Sequence, residues 1–98
     1  MANLTRLHSG LRDAAYALDE QAAGRVPELS RLLSGAITLD TLFRRRALDA
    51  DLQDAALSLE RMVREDTLKL PEQERVRSGA LAEKVRALAD SYVADGGG

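Results

Sequence analysis

The feature that most constrains the fold is the spacing of leucine and alanine, which recur three and four residues apart along most of the chain. Leucine occurs 17 times and alanine 16 times, whereas the chain has one Phe, two Tyr and no Trp. Both residues are strong helix formers, and this spacing places them on one face of a helix. Strand-forming β-branched and aromatic residues are scarce. The sequence therefore predicts an all-α fold.

Capping and breaking residues divide the first third of this pattern into two helices. The first is predicted over about 4 to 23, with Asn3 as its cap. The second is predicted to be short, about 27 to 34, because Gly35 follows its last leucine where a helix commonly ends.

A third helix is predicted from 39 to 70, a stretch without Gly or Pro that Thr38 can cap. Pro71 then opens a fourth, since proline is tolerated in a first turn. We therefore predict a compact helical bundle of three longer helices plus one short helix. Residues 1–95 form a single helical domain on this interpretation, and residues 96–98 form a flexible glycine tail.

Charge and composition argue against several classes of function. The chain has 14 basic and 16 acidic residues, so no net field favours nucleic acid or an anionic membrane. It has no cysteine and a single histidine, His8, which removes the common zinc sites. There is no apolar run typical of a membrane span or a secretory signal. We expect a cytoplasmic protein with no membrane contact, no metal and no cofactor.

No residue pattern indicates catalysis. The acids lie at the spacing of ordinary ion pairs on helix surfaces, as in Glu60 with Arg64 and Glu83 with Arg86. His8 has no acid three or four residues away. The chain is therefore expected to be a non-enzyme with no small-molecule substrate.

The predicted third helix is apolar on two sides. One face carries Leu48, Leu52, Ala55, Ala56, Leu59, Met62 and Val63. The opposite face carries Leu39, Phe43, Ala50, Leu57 and Leu68. A helix apolar on two sides needs neighbours on both, so the second face meets either the rest of the bundle or another chain. These alternatives carry equal weight, and Leu39, Phe43, Ala50 and Leu57 are the predicted partner-binding residues.

Three consecutive arginines, Arg44, Arg45 and Arg46, are the most basic stretch of the chain. Adjacent helical residues fan over about 200°, so the three cannot form one flat patch. Asp40 and Asp49 lie within pairing distance along the helix, which favours a solvated, internally paired segment. Contact with an anionic ligand or an acidic protein surface is the alternative.

The same stretch predicts a structural boundary. On an unbroken helix Arg45 would lie on the side of Leu48 and Leu52, where an unpaired guanidinium is costly to bury. We therefore expect the helix to bend or restart between Phe43 and Ala47.

Two further features suggest contacts. Gly10 and Gly79 lie inside predicted helices, where each costs about 1 kcal/mol relative to alanine, which suggests close helix crossings. A later start of the fourth helix, near Ala80, would also explain Gly79. Tyr16 points away from the leucines of the first helix and is a candidate anchor for a partner.

The expected function is that of a small interaction module, an adaptor or chaperone-like factor that self-associates or binds a protein partner. The alternative is a helix–turn–helix-like DNA-binding regulator using residues 27–46, with Gly35 in its turn. Acids on the predicted recognition helix, including Asp40 and Asp49, oppose nucleic acid binding.

Overall fold

The structure is a computed structural model that describes residues 2–64 and 71–97, with side chains over 6–64 and 71–92. These ranges contain four α-helices and no strand. The helices are α1 (Ala2–Ala22), α2 (Leu29–Arg44), α3 (Ala50–Arg64) and α4 (Glu72–Gly97). The predicted all-α class is confirmed, while the division into helices differs from the prediction in the middle of the chain.

The alanine-rich α1 forms the centre of the bundle. It packs most extensively against α4 and next against α2, while α3 bridges α2 and α4. The buried face of α1 consists of Leu11, Ala14, Ala15, Ala17 and Leu18. Small side chains at three of these positions let the neighbouring helices approach closely.

The closest approach is the crossing of α1 and α2. A Cβ atom on Gly35 would lie 2.5 Å from the Cα of Ala14, and one on Gly10 would lie 1.9 Å from Oγ1 of Thr38. The predicted crossing at Gly10 is thus confirmed. The predicted helix end at Gly35 is wrong, because this glycine lies inside α2 and makes room for the α1 backbone.

Helix α2 ends at a left-handed residue. The N–H of Ala47 donates to the Leu42 carbonyl and that of Arg46 to the Phe43 carbonyl, each at 3.0 Å. This is the Schellman arrangement, and it places Arg46 at φ 57°. The predicted boundary between Phe43 and Ala47 is confirmed as a complete break.

Because of this break, the predicted third helix from 39 to 70 is wrong, and its first part belongs to α2. Thr38 lies within α2 instead of capping a new helix, and residues 65–70 at its predicted end lie outside the described residues. Asp49 caps α3, since its Oδ1 accepts a hydrogen bond of 2.9 Å from the Leu52 N–H.

Helix α4 begins next to Pro71 as predicted, so the alternative start near Ala80 is wrong. Gly79 does not mark a tight crossing, because a Cβ there would meet the Ala22 Cβ at an ordinary 3.7 Å. The helix is described as far as Gly97 and so includes two of the three terminal glycines.

A buried polar contact joins three of the four helices. Oε1 of Gln21 accepts hydrogen bonds from Oγ of Ser58 at 3.0 Å and from Oγ of Ser78 at 2.7 Å. Gln21 and Ser78 are almost completely buried. This contact fixes how α1, α3 and α4 lie against one another, because a buried polar atom without its partner is costly.

Candidate functional site

The large apolar side chains that stay exposed are concentrated on one side of the molecule. Among the described residues they are Val26, Leu29, Leu33, Ile37, Phe43, Leu57, Val63 and Val76. Five of these eight line a single groove between α2 and α3. Single exposed apolar residues are common on proteins, whereas a contiguous apolar patch is a candidate interaction surface.

We call this feature the α2–α3 groove. Its apolar wall consists of Leu33, Ala36, Ile37 and Phe43 from α2 with Ala56, Leu57 and Val63 from α3. It encloses a volume of about 370 Å³. Buried residues such as Leu39, Leu42 and Leu59 lie on the same two helices, so packed core holds the groove in place.

The rim of the groove carries two ion pairs. Asp40 pairs with Arg44 on α2 at 3.0 Å, and Glu60 pairs with Arg64 on α3 at 2.8 Å. All four side chains are largely exposed, so the pairs contribute little stability. Two acids and two bases leave the rim with no net charge.

The predicted partner-binding face is divided by the break between α2 and α3. Phe43 and Leu57 line the groove, although they come from different helices. Leu39 is completely buried in the core, and Ala50 lies at the start of α3 outside the groove wall. Leu68 lies outside the described residues. The prediction of one continuous second face on a single helix is therefore wrong.

Of the five large apolar side chains in the groove, three are not predicted from the sequence, namely Leu33, Ile37 and Val63. Leu33 and Ile37 lie on either side of the predicted helix end at Gly35, and Val63 lies on the predicted core face. Continuing the helix through Gly35 places Leu29, Leu33 and Ile37 four residues apart on one stripe, which is the signal that was available.

The three arginines do not form a common site. Arg44 makes the predicted pair with Asp40 at the rim, whereas Arg45 and Arg46 are exposed in the connection to α3. Asp49 was expected to pair with them, but its carboxylate instead caps α3. Of the three arginines, only Arg44 lines the groove.

Tyr16 makes its contacts within the chain. Its hydroxyl accepts a hydrogen bond of 2.8 Å from the Glu28 N–H, and the guanidinium of Arg31 lies 3.7 Å from the ring centroid. Arg31 also pairs with Asp13 at 3.0 Å. Tyr16 thus fastens the start of α2 to α1 and lies outside the groove.

A second concavity, of about 310 Å³, lies beside Tyr16 and is polar. Three of its four arginines are paired with acids, Arg25 with Glu20, Arg31 with Asp13 and Arg86 with Asp19. The hydrogen bonds from Arg25 lower the pKa of Glu20, which stays a carboxylate. This pairing reduces the positive charge that the three arginines offer to an anion.

An exposed charge network joins α3 to α4 on the side away from the groove. Asp51 accepts hydrogen bonds from Lys84 and, at 2.8 Å, from Arg77, which also reaches Asp54 at 3.2 Å. The bond from Lys84, followed by that from Arg77, lowers the pKa of Asp51 to about 2. The network connects the surfaces of α3 and α4.

The single histidine, His8, makes a contact between two helices. The Nδ1 of His8 donates to the Ala89 carbonyl at 3.0 Å and so connects α1 to α4. Within residues 2–64 and 71–97, no three acidic or histidine side chains gather as metal ligands would.

None of the helices described has the length and apolarity needed to cross a bilayer.

Comparison of the chain with protein-family models, with curated proteins and with solved structures gives no match. The geometry of the α2–α3 groove is therefore the main guide to what the chain does.

Proposed function

We propose that this chain is a non-enzymatic protein–protein interaction module, an adaptor or chaperone-like factor, whose docking surface is the α2–α3 groove. The observation that carries the proposal is the gathering of five exposed apolar side chains into one groove. They are between 38% and 66% exposed, so a large part of each side chain stays in contact with water. The largest apolar patch on a small protein is often a functional surface.

The shape of the groove suits a helical partner. Two adjacent helices form its walls, and an amphipathic helix can lay its apolar stripe into such a groove. Because core residues behind α2 and α3 hold the walls in place, little ordering of the module is needed on binding. Preorganisation of this kind leaves more of the burial free energy for affinity.

The chain offers an unusually clean test, since Ile37 is its only isoleucine and Phe43 its only phenylalanine. Both line the groove. A protein labelled at the δ1 methyl of isoleucine therefore gives a single methyl resonance, which reports on this surface. The probe is a Leu/Ala amphipathic peptide of about 18 residues, long enough to be helical, and a scrambled peptide of the same composition is its control.

We expect the amphipathic peptide to shift the Ile37 methyl resonance saturably and the scrambled peptide to leave it in place. Leu57→Glu should weaken the response at least tenfold, roughly the effect of losing one well-buried contact. Val76→Glu, an equally drastic change at a 68% exposed valine outside the groove, should preserve it. If neither peptide shifts the Ile37 methyl resonance, the proposal is refuted.

A further inference from the structure

The charge and the composition of the groove indicate which partner it binds. We infer that the α2–α3 groove binds the same groove of a second copy of this chain, forming a symmetric dimer. The inference rests on the proposed docking function and adds the identity of the partner. In such a dimer the same patch of each copy forms the interface, so the charges and shape of the patch must be complementary to those of an identical patch.

The charges of the rim meet this requirement. Asp40, Arg44, Glu60 and Arg64 sum to zero, so two copies approach without net repulsion. The two ion pairs are exposed and contribute little stability, so their carboxylates and arginines can exchange partners between the two copies at little cost. A nucleic acid or a strongly charged peptide gains no net attraction from the same rim.

The composition of the groove is also appropriate. A standard interface buries about 800 Å² on each partner, of which somewhat over half is apolar. Seven of the eleven residues that line the groove are apolar, and the other four are the charged residues of the rim. The apolar centre and polar rim reproduce the usual anatomy of an interface.

The shape of the groove allows two copies to pack against each other. Ile37 is 66% exposed and Leu57 is 50% exposed, the largest fractions among the large apolar side chains of the groove. These side chains of one copy can enter the groove of the other. Docking would surround this contact with two helices from each copy, which is the arrangement of a four-helix core.

The test is the mass of the full chain measured by sedimentation from low micromolar to near-millimolar concentration. The expected result is a rise from one chain to two. Ile37→Glu should raise the dimer dissociation constant at least tenfold, about the effect of one buried hot-spot side chain, whereas Val76→Glu should leave it unchanged. Circular dichroism of both variants checks that the helices are intact.

A second pair of variants tests the charge argument without altering the apolar wall. Arg44→Glu with Arg64→Glu makes the whole rim acidic, and Asp40→Arg with Glu60→Arg makes it basic. Each variant alone should stay monomeric because like charges oppose each other, and an equal mixture should recover a dimer. A mixture that pairs no better than either variant alone would contradict docking of groove on groove.

The outcomes separate this inference from the proposed function. A single-chain mass at every concentration overturns the inference, and so does a dimer that Ile37→Glu and Val76→Glu affect equally. If the mass stays at one chain while the amphipathic peptide still shifts the Ile37 methyl, the docking function stands and only the second copy is excluded. If the methyl is also unresponsive, both fail.

Discussion

At the scale of single residues, two glycines in helices have opposite roles. Gly35 is required, because a side chain there would overlap the backbone of Ala14, which cannot move aside. Gly79 is not required, since an added methyl would make only ordinary contact with Ala22.

Gly35→Ala should therefore lower the free energy of unfolding by about 1–3 kcal/mol, the usual cost of overpacking. Gly79→Ala should raise it by up to about 1 kcal/mol, through better helix propensity. Urea denaturation of the two variants measures both effects. Equal changes in the two would show that α1 and α2 are not in such close contact.

The left-handed conformation of Arg46 is a second feature at this scale. The equivalent position after α1 is a glycine, Gly24 at φ 76°, and the two helix ends share the same hydrogen-bond pattern. An arginine in this conformation is strained by about 1 kcal/mol, whereas glycine is not.

Arg46→Gly should accordingly stabilise the fold by about 0.5–1 kcal/mol, measured by chemical denaturation. Arg45→Gly is the matched control, because it removes the same charge at a residue with φ −83°. It should be neutral or destabilising. The conformational explanation fails if the two glycine variants have the same effect.

At the scale of elements, the charge network between α3 and α4 makes stability depend on pH. The pKa of Asp51 in the folded chain is about 2, below its ordinary value of 3.8. A depressed carboxyl pKa stabilises the fold above the ordinary value, and this stabilisation is lost as the pH falls from 3.8 toward 2.

The difference in unfolding free energy between the natural chain and Asp51→Asn should therefore shrink over this pH interval. Thermal unfolding at a series of pH values measures it, with Asp90→Asn, at an exposed aspartate of α4 outside the network, as control. A difference that is constant down to pH 2 would mean that Lys84 and Arg77 do not hold Asp51 in solution.

The elements also show how far the sequence could predict the fold. Helices α1 and α4, the break after Phe43 and the pair of Asp40 with Arg44 follow from local signals such as spacing, proline position and charge separation. The helical state of Gly35 does not, because its cost is offset by a contact with Ala14 that exists only in the folded chain. Only two of the five large apolar residues of the groove, Phe43 and Leu57, are predicted from the sequence, because the two walls become neighbours only by tertiary packing.

At the scale of the whole molecule, the core and the proposed docking surface are separate, although both use residues of α2 and α3. Leu39→Ala should lower the free energy of unfolding by about 2–5 kcal/mol, because this leucine is completely buried. Leu57→Ala should cost the isolated monomer well under that amount, and instead weaken association. The unfolding free energies of the two variants are compared at a protein concentration below that of dimer formation. Equal losses of unfolding free energy would place Leu57 in the core.

The central claim is that the α2–α3 groove is a surface that becomes covered. The measurement that tests it most directly is the Ile37 methyl resonance of the natural chain, followed over the same concentrations as its mass. We predict that the resonance shifts with concentration and that its midpoint coincides with the change from one chain to two. A resonance that stays constant while the mass doubles would contradict the account, because the chains would then associate through another surface.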